Sequence, residues 1–331
     1  MTLAWLVLQC LLCAAVIARA GWVLSHSADR IARATGLDGG WVGLALLATV
    51  TSLPELASGI SAVTWSAAPD LAVGNALGAC VFNLAFLVVV ELLQRRQPLY
   101  AHASAAHLLS AAFGIVMLGL VALSLLLGER APTLLHVGIY SPVLLALYLL
   151  ALRSTRGEAV TRVRAPDPEP GTPPLSVTWR RFGVAALAVL VAGSLLPALA
   201  DQLGEALGWS RSFVGTLLMA VITTLPEVAV TVAALRLGAL DMAVGNLLGS
   251  NLFNTAILAI DDAFYRTGPL LTDAEPVHAV TAVAAIVMTA LVMIGLALRP
   301  RARLLHALSW VGAALLAMYV LTAALVFLQS G

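Results

Sequence analysis

The chain has 331 residues, 61% of them hydrophobic and 11% charged, with a net charge of +1 and a mean hydropathy of +0.98. A soluble domain carries about 25% charged residues, a disordered chain is more polar still, and a nucleic-acid-binding domain shows a basic excess. What remains is a polytopic protein of the lipid bilayer, with no nucleic acid among its partners.

A transmembrane helix needs about 20 mostly apolar residues. By that measure ten spans follow one another, at roughly 3–25, 41–64, 70–93, 103–127, 133–152, 181–204, 212–235, 240–263, 276–298 and 304–328. Within the first span Ala18-Arg19-Ala20 mimics a signal-peptide cleavage site. It lacks a positive leading region, and its apolar run continues past Gly21, so we expect a retained helix. Cys10, Cys13 and Cys80 lie in apolar stretches and form no disulfide framework. The one long polar stretch, 153–178, contains Pro166, Pro168, Pro170, Pro173 and Pro174 and reads as a linker. The expected organisation is a first five-helix repeat at 1–152, a linker at 153–178 and a second five-helix repeat at 179–331.

Every basic residue is an arginine, and their distribution sets an orientation. Arg130, Arg211 and Arg266 fall on one side and the other fifteen on the opposite side. The positive-inside rule then places both termini outside and the central linker in the cytoplasm. The expected location is the cell (inner) membrane.

The halves repeat each other. GLALLATVTSLPELASG from Gly43 matches GTLLMAVITTLPEVAVT from Gly215 at an offset of 172. LAVGNALGACVFN from Leu71 matches MAVGNLLGSNLFN from Met242 at an offset of 171, and Pro98 and His107 then match Pro269 and His278. Five spans per half make the second repeat inverted in the membrane, which is a transporter architecture built for alternating access.

The chemistry concentrates in the repeated motifs. Glu55 and Glu227 lie mid-span, where a charge costs ~3 kcal/mol or more, and they occupy matched positions. Among the acids, they stand out as the two placed deep in the core at matched positions. Thr51 shares a helix face with Glu55, and Thr223 with Glu227; Ser52 and Thr224 add hydroxyls. Pro54 and Pro226 lack an N–H, so the carbonyls of Val50 and Ile222 lose their helical partner. Hydroxyls, carboxylates and freed carbonyls are hard oxygen ligands of the kind Ca²⁺ takes. Asn83, Asn254 and Ser250 add neutral oxygens in the following helices, while Gly74-x-x-x-Gly78 and Gly245-x-x-x-Gly249 read as close-packing motifs.

TSLPE with GNALGACVFN, and TTLPE with GNLLGSNLFN, resemble the two alpha repeats of the calcium/cation antiporter superfamily, whose best-known branch is the sodium/calcium exchangers. The resemblance covers both repeats and the ten-helix layout. It implies an all-α membrane protein of ten transmembrane helices in two inverted five-helix repeats. It also implies an ion bound by Glu55, Thr51, Ser52, Glu227, Thr223 and Thr224, by the backbone carbonyls of Ala48 and Ala220, and by Asn83, Ser250 and Asn254. Three departures stand out. Val50 and Ile222 replace the family's glycine before Thr-Ser. Gly78-Ala79-Cys80 replaces Gly-Ser-Asn. Asn254 replaces an aspartate that many sodium/calcium exchangers carry. Two carboxylates balance one Ca²⁺ or two monovalent ions, and a third would favour an extra Na⁺. Proton/calcium members of the superfamily resemble this two-Glu, two-Asn set, whereas TSLPE looks more like the sodium branch.

Other acids and histidines have plainer expected roles. Asp29 and Asp201 precede matched spans and read as helix-end hydrogen-bonding groups. Asp70 and Asp241 sit at helix starts, where a carboxylate suits the dipole. Glu91 and Asp262 are a matched pair read as interfacial ion pairs with Arg95 and Arg266. His107 and His278 are another matched pair and candidate pH sensors. The expected function is secondary active antiport of Ca²⁺ against Na⁺, or on the same scaffold against H⁺, with no cofactor and no protein partner. Mg²⁺ and Mn²⁺ accept similar oxygens. Against a channel stands the inverted repeat; against an intramembrane enzyme stands the lack of an H-E-x-x-H motif.

Overall fold

The computed structural model describes residues 3–94, 98–159, 174–207, 222–302, 304 and 308–329. The described residues include these helices. They are α1 (Leu3–Thr35), α2 (Gly39–Thr51), α3 (Leu53–Trp65), α4 (Pro69–Leu93), α5 (Leu99–His102), α6 (His107–Leu127), α7 (Tyr140–Ala159), α8 (Leu175–Ala206), α9 (Leu225–Arg236), α10 (Leu240–Phe264), α11 (Leu270–Asp273), α12 (His278–Leu298) and α13 (Trp310–Gln329). Strands Thr133–Leu134 (β1) and Val137–Gly138 (β2) form a small antiparallel hairpin before α7.

Helix occupies the larger part of nine of the ten expected spans. The second half of the seventh is α9, and its first half lies outside the described residues, as does most of the linker. Local chemistry sets many boundaries. Asp38 caps α2 by accepting from the N–H groups of Gly40 and Trp41 at 2.8 and 3.2 Å. Pro98 and Pro269, matched in sequence, cap the matched short helices α5 and α11, and His107 and His278 open α6 and α12. Two expected starts move. The fifth helix begins at Tyr140 and the tenth at Trp310, later than 133 and 304, because Pro132 with the hairpin precedes one and non-helical chain precedes the other.

The chain forms two compact units, and their boundaries cut across the repeats. One comprises Met1–Pro54 and Ala159–Asn246, the other Glu55–Glu158 and Leu247–Gly331. In the first unit α1 lies along α8 and α9. Its apolar core includes Leu24, Ile31, Leu47, Val189, Val230 and Met242, all buried. Ser25 of α1 donates to the carbonyl of Val230 in α9 at 2.9 Å. The tightest crossing is between α2 and α10. A Cβ on Gly43 would lie 3.0 Å from the backbone of Met242, and one on Gly245 would meet the backbone of Gly40 and Leu44. Only glycine permits that approach.

In the second unit α6 packs along α12, and α12 and α13 both pack on α4. Matched residues meet one another there. Cys80 and its counterpart Asn251 are bonded directly: the Asn251 amide donates to the Cys80 carbonyl at 3.2 Å, and the Cys80 thiol points to the Asn251 carbonyl at 3.7 Å. Contact between equivalent positions places both on the pseudo-two-fold axis of this unit.

The expected glycine packing holds at Gly245 and is looser at its counterpart. At Gly74 a Cβ would meet only the ring of His278, and at Gly78 it would meet open space.

A buried Ser-Glu pair at a broken helix

Proline breaks the second span where the sequence requires it. The ring removes one helical N–H and crowds the carbonyl four residues earlier. Accordingly α2 ends at Thr51, α3 begins at Leu53, and the two diverge by 41°. Ser52 at the break has φ −92° and ψ 9°. Thr224, its counterpart before α9, has φ −88° and ψ 6°. A five-residue π-turn, Gly43–Leu47, precedes the first break; π-turns concentrate at functional sites.

The break turns polar groups inward. Thr51, Ser52 and Thr224 are fully buried, Thr223 nearly so, and Glu227 is 1% exposed. The Ser52 hydroxyl donates to Glu227 Oε1 at 2.9 Å, across 175 residues of sequence. The motif of the first repeat and the carboxylate of the second are therefore in direct contact within the first unit. Asn246 of α10 extends the cluster, donating to Thr231 Oγ1 at 3.1 Å and toward the Glu227 carbonyl at 3.5 Å. Sequence reasoning passed over Asn246, although the matched Gly74-Asn75 and Gly245-Asn246 pairs carried the signal. The Ala48 carbonyl accepts from the Ser52 N–H at 3.1 Å and from Thr51 Oγ1 at 3.3 Å, so it is already engaged by two donors. Ala220 lies outside the described residues.

Glu55, Asn83, Ser250 and Asn254 belong to the second unit, and all are essentially inaccessible to water. Asn83 donates to Asn251 Oδ1 at 3.2 Å. The amide oxygens of Asn83 and Asn254, at matched positions, accept no hydrogen bond from the described residues. A buried carbonyl oxygen left that way costs ~1–3 kcal/mol. Both are suited to a cation, which supplies the positive partner without a donor. Among the described residues no three His, Cys, Asp or Glu side chains cluster as a metal site.

The chain has relatives. The sequence profile described as sodium/calcium exchanger protein matches residues 5–161 and again 178–328. The chain belongs to the sodium/calcium exchanger family. Relatives include inner membrane protein YrbG of Escherichia coli, 28% identical over 255 residues, covering 70% of this chain and 74% of that protein. Putative antiporter CaxA of Alkalimonas amylolytica is 29% identical over 240 residues, covering 71% and 72%. Sodium/calcium exchanger MaX1 of Methanosarcina acetivorans is 47% identical over a shorter stretch of 62 residues, 18% of each chain. The solved structure of the sodium-calcium exchanger NCX_Mj superposes with a TM-score of 0.75 at 23% identity, covering 98% of this chain and 99% of that one. The all-α, multi-pass exchanger fold with two inverted repeats is therefore the fold of this chain.

The remaining acids depart from the family-motif picture. Glu91, Asp261 and Asp262 are as buried as the motif glutamates, so the two glutamates are not alone in the core. Asp262 was expected to pair with Arg266. Instead it accepts from the Gly138 N–H at 2.9 Å, the Tyr140 hydroxyl at 3.0 Å, the Ser141 hydroxyl and the Leu270 N–H at 2.7 Å. Glu91 accepts from the Ser309 N–H at 2.7 Å and its hydroxyl at 3.2 Å; Arg95 lies outside the described residues. Ser309 and Gly138 are themselves matched at an offset of 171. Each acid at the end of a repeat's third helix thus anchors the start of the other repeat's fifth helix. Backbone N–H groups and hydroxyls satisfy these carboxylates, so no arginine is needed. Asp29 pairs with Arg33 at 3.0 Å on α1, and Asp70 accepts from the Glu275 N–H at 2.7 Å and meets His278 Nε2 at 3.1 Å. The side chain of Asp201 lies outside the described residues.

Proposed function

We propose that this chain is a secondary active antiporter that exchanges Ca²⁺ for Na⁺ by alternating access. Glu55 and Glu227 supply the carboxylates. Thr51, Ser52, Thr223, Thr224, Asn83, Ser250 and Asn254 supply neutral oxygens, with the carbonyls of Ala48 and Ala220 at the helix breaks. The observation that carries this reading is the buried Ser52–Glu227 bond, which couples the two repeated motifs. The idle amide oxygens of Asn83 and Asn254 support it. The positive-inside count supports termini outside and a cytoplasmic linker, in an inner membrane.

A second reading, Ca²⁺ against H⁺, is favoured by one observation. Position 254 is an amide, leaving two motif carboxylates to balance a single divalent ion. Proteoliposomes loaded with Ca²⁺ separate the readings. A Na⁺ gradient at fixed pH and clamped voltage should drive Ca²⁺ flux. Flux that follows a pH gradient and ignores Na⁺ would select the proton reading, and no cation flux under either gradient would overturn both.

A further inference from the structure

Asp261 lies in α10 and is 0% exposed, and neither carboxylate oxygen has a hydrogen-bond partner among the described residues. The carboxylate lies against the backbone of α3 at Gly59. A Cβ on Gly59 would fall 2.8 Å from both Cγ and Oδ1 of Asp261, and nearer still to Oδ2. The glycine is what makes room for the acid.

Helix geometry relates this spot to the motif residues. Gly59 is one turn beyond Glu55 on the same face of α3, about 6 Å along the axis. Asp261 is two turns beyond Asn254 on the same face of α10, about 10 Å along the axis. The counterpart of Asp261 in the first repeat is Val90, and that of Gly59 is Thr231. The second repeat has therefore added an acid, and the first has dropped a side chain to seat it. Packing does not account for it, because a valine serves at the matched position.

A carboxylate sealed from water without a partner is not stable as a bare charge. It holds either a cation or a proton. Ca²⁺ takes six to eight oxygens and Mg²⁺ a near-octahedral set. On its own helix Asp261 has Ile257 and Leu258 one turn back and Asp262 next to it, whose carboxylate is taken up by its own four donors; on α3 Ser58 and Ile60 flank the glycine. One carboxylate in such a wall suits a proton, which needs a single oxygen.

Other titratable groups lie on the surrounding elements. Glu55 is the one acid of α3. Asp262 and Tyr140 are bonded to each other, Asp70 to His278, and His136 meets the carbonyl of Ala263 at 3.3 Å. Tyr265 follows the end of α10.

We propose that Asp261 is a proton-binding residue of the transport cycle, protonated while sealed against Gly59 and exchanging that proton with water when its surroundings open. By the arginine count this end of α10 faces outside, so the proton exchanges with the outer solution. The exchange is a plain protonation: the proton joins a carboxylate oxygen and later returns to water. This inference rests on the antiporter reading for its transport role, but not for the protonation itself.

Two measurements test it. In membranes carrying the Glu55→Gln, Glu227→Gln protein, infrared spectra at neutral pH should show the carbonyl band of a protonated carboxylic acid, and adding Asp261→Asn should abolish it. Absence of the band before that last substitution, or its persistence afterwards, overturns the proposal. If the Asn variant fails to assemble, Asp261→Glu should shift the band, and an unmoved band overturns it. In proteoliposomes, Ca²⁺/Ca²⁺ self-exchange should depend on outer pH in wild type, and Asp261→Asn should lose that dependence while self-exchange continues. An unchanged pH profile in the variant overturns the Asp261 assignment alone. Failure of wild-type self-exchange with the infrared band present overturns the antiporter reading and the transport role with it.

Discussion

Ser52 and Thr224 stand 172 residues apart and hold nearly the same backbone conformation, φ −92°, ψ 9° and φ −88°, ψ 6°. Both precede a Leu-Pro-Glu triplet, and each sits immediately before the helix that the triplet opens. It is the conformation a chain takes where a helical turn closes without continuing. Here the following proline blocks the ordinary helical continuation, and burial of the hydroxyl fixes the rest. The equivalence has a chemical consequence. Because Thr224 already serves at the matched position, Ser52→Thr should leave transport and stability close to wild type. Ser52→Ala removes the donor to Glu227 and should cost about 1–3 kcal/mol of stability or of cation affinity. KM for Ca²⁺ and the unfolding temperature of the pair, compared side by side, check this. Equal behaviour of the alanine and threonine variants would show that the hydroxyl is idle.

Replacement of either motif glutamate by glutamine keeps size and shape while removing charge. Glu55→Gln and Glu227→Gln should each abolish Ca²⁺ flux in proteoliposomes. Each variant should still elute as wild type does in detergent. Full activity in both would overturn the proposed ligand set.

Asn254 tests whether charge count sets the coupling ion. Asn254→Asp adds a third carboxylate beside the neutral oxygens already present. Flux should then depend more steeply on Na⁺, because a further negative charge favours a further monovalent cation. An unchanged Na⁺ dependence would locate the choice of coupling ion elsewhere.

The motif residues were legible in the sequence because their chemistry is local. Proline breaks its own helix, Thr51 and Glu55 share a face by spacing alone, and the repeat doubles each signal. Pro98 and Pro269 even announced the matched caps of α5 and α11. What was not legible depends on distant partners. Glu91 and Asp262 looked like acids awaiting a neighbouring arginine, but their donors come from 218 and from 8 to 124 residues away. Asp261 carried no motif at all, and nothing adjacent in sequence shows that it would lie on Gly59. The π-turn at Gly43–Leu47 has no sequence marker beyond its glycine. Where span five or ten begins depends on which carboxylate holds its first residues, so hydropathy placed both starts too early.

The anchoring acids make a stability prediction distinct from any transport effect. Asp262 receives four donors and Glu91 receives two from Ser309. Charge-assisted bonds of this kind contribute about 1.5–3 kcal/mol each when buried. Asp262→Asn should therefore lower the thermal midpoint more than Glu91→Gln does. Thermal unfolding in detergent reads both. The reverse order, or no shift in either, would mean that the loops at Gly138 and Ser309 are held by packing alone.

The glycines form a graded series that tests the packing directly. At Gly245 an added methyl would strike the backbone of Gly40, which cannot rotate away. At Gly74 it would lie 3.2 Å from the ring of His278, whose side chain has freedom to yield. At Gly78 it would meet nothing within 4 Å. Alanine gains about 0.5–1 kcal/mol over glycine inside a helix. Overpacking costs about 1–3 kcal/mol or more when neighbours are rigid. The balance should make Gly245→Ala strongly destabilising, Gly74→Ala mildly so, and Gly78→Ala neutral or stabilising. Melting of the three variants in detergent gives the order. A Gly245→Ala protein as stable as wild type would mean that α2 and α10 do not cross backbone to backbone.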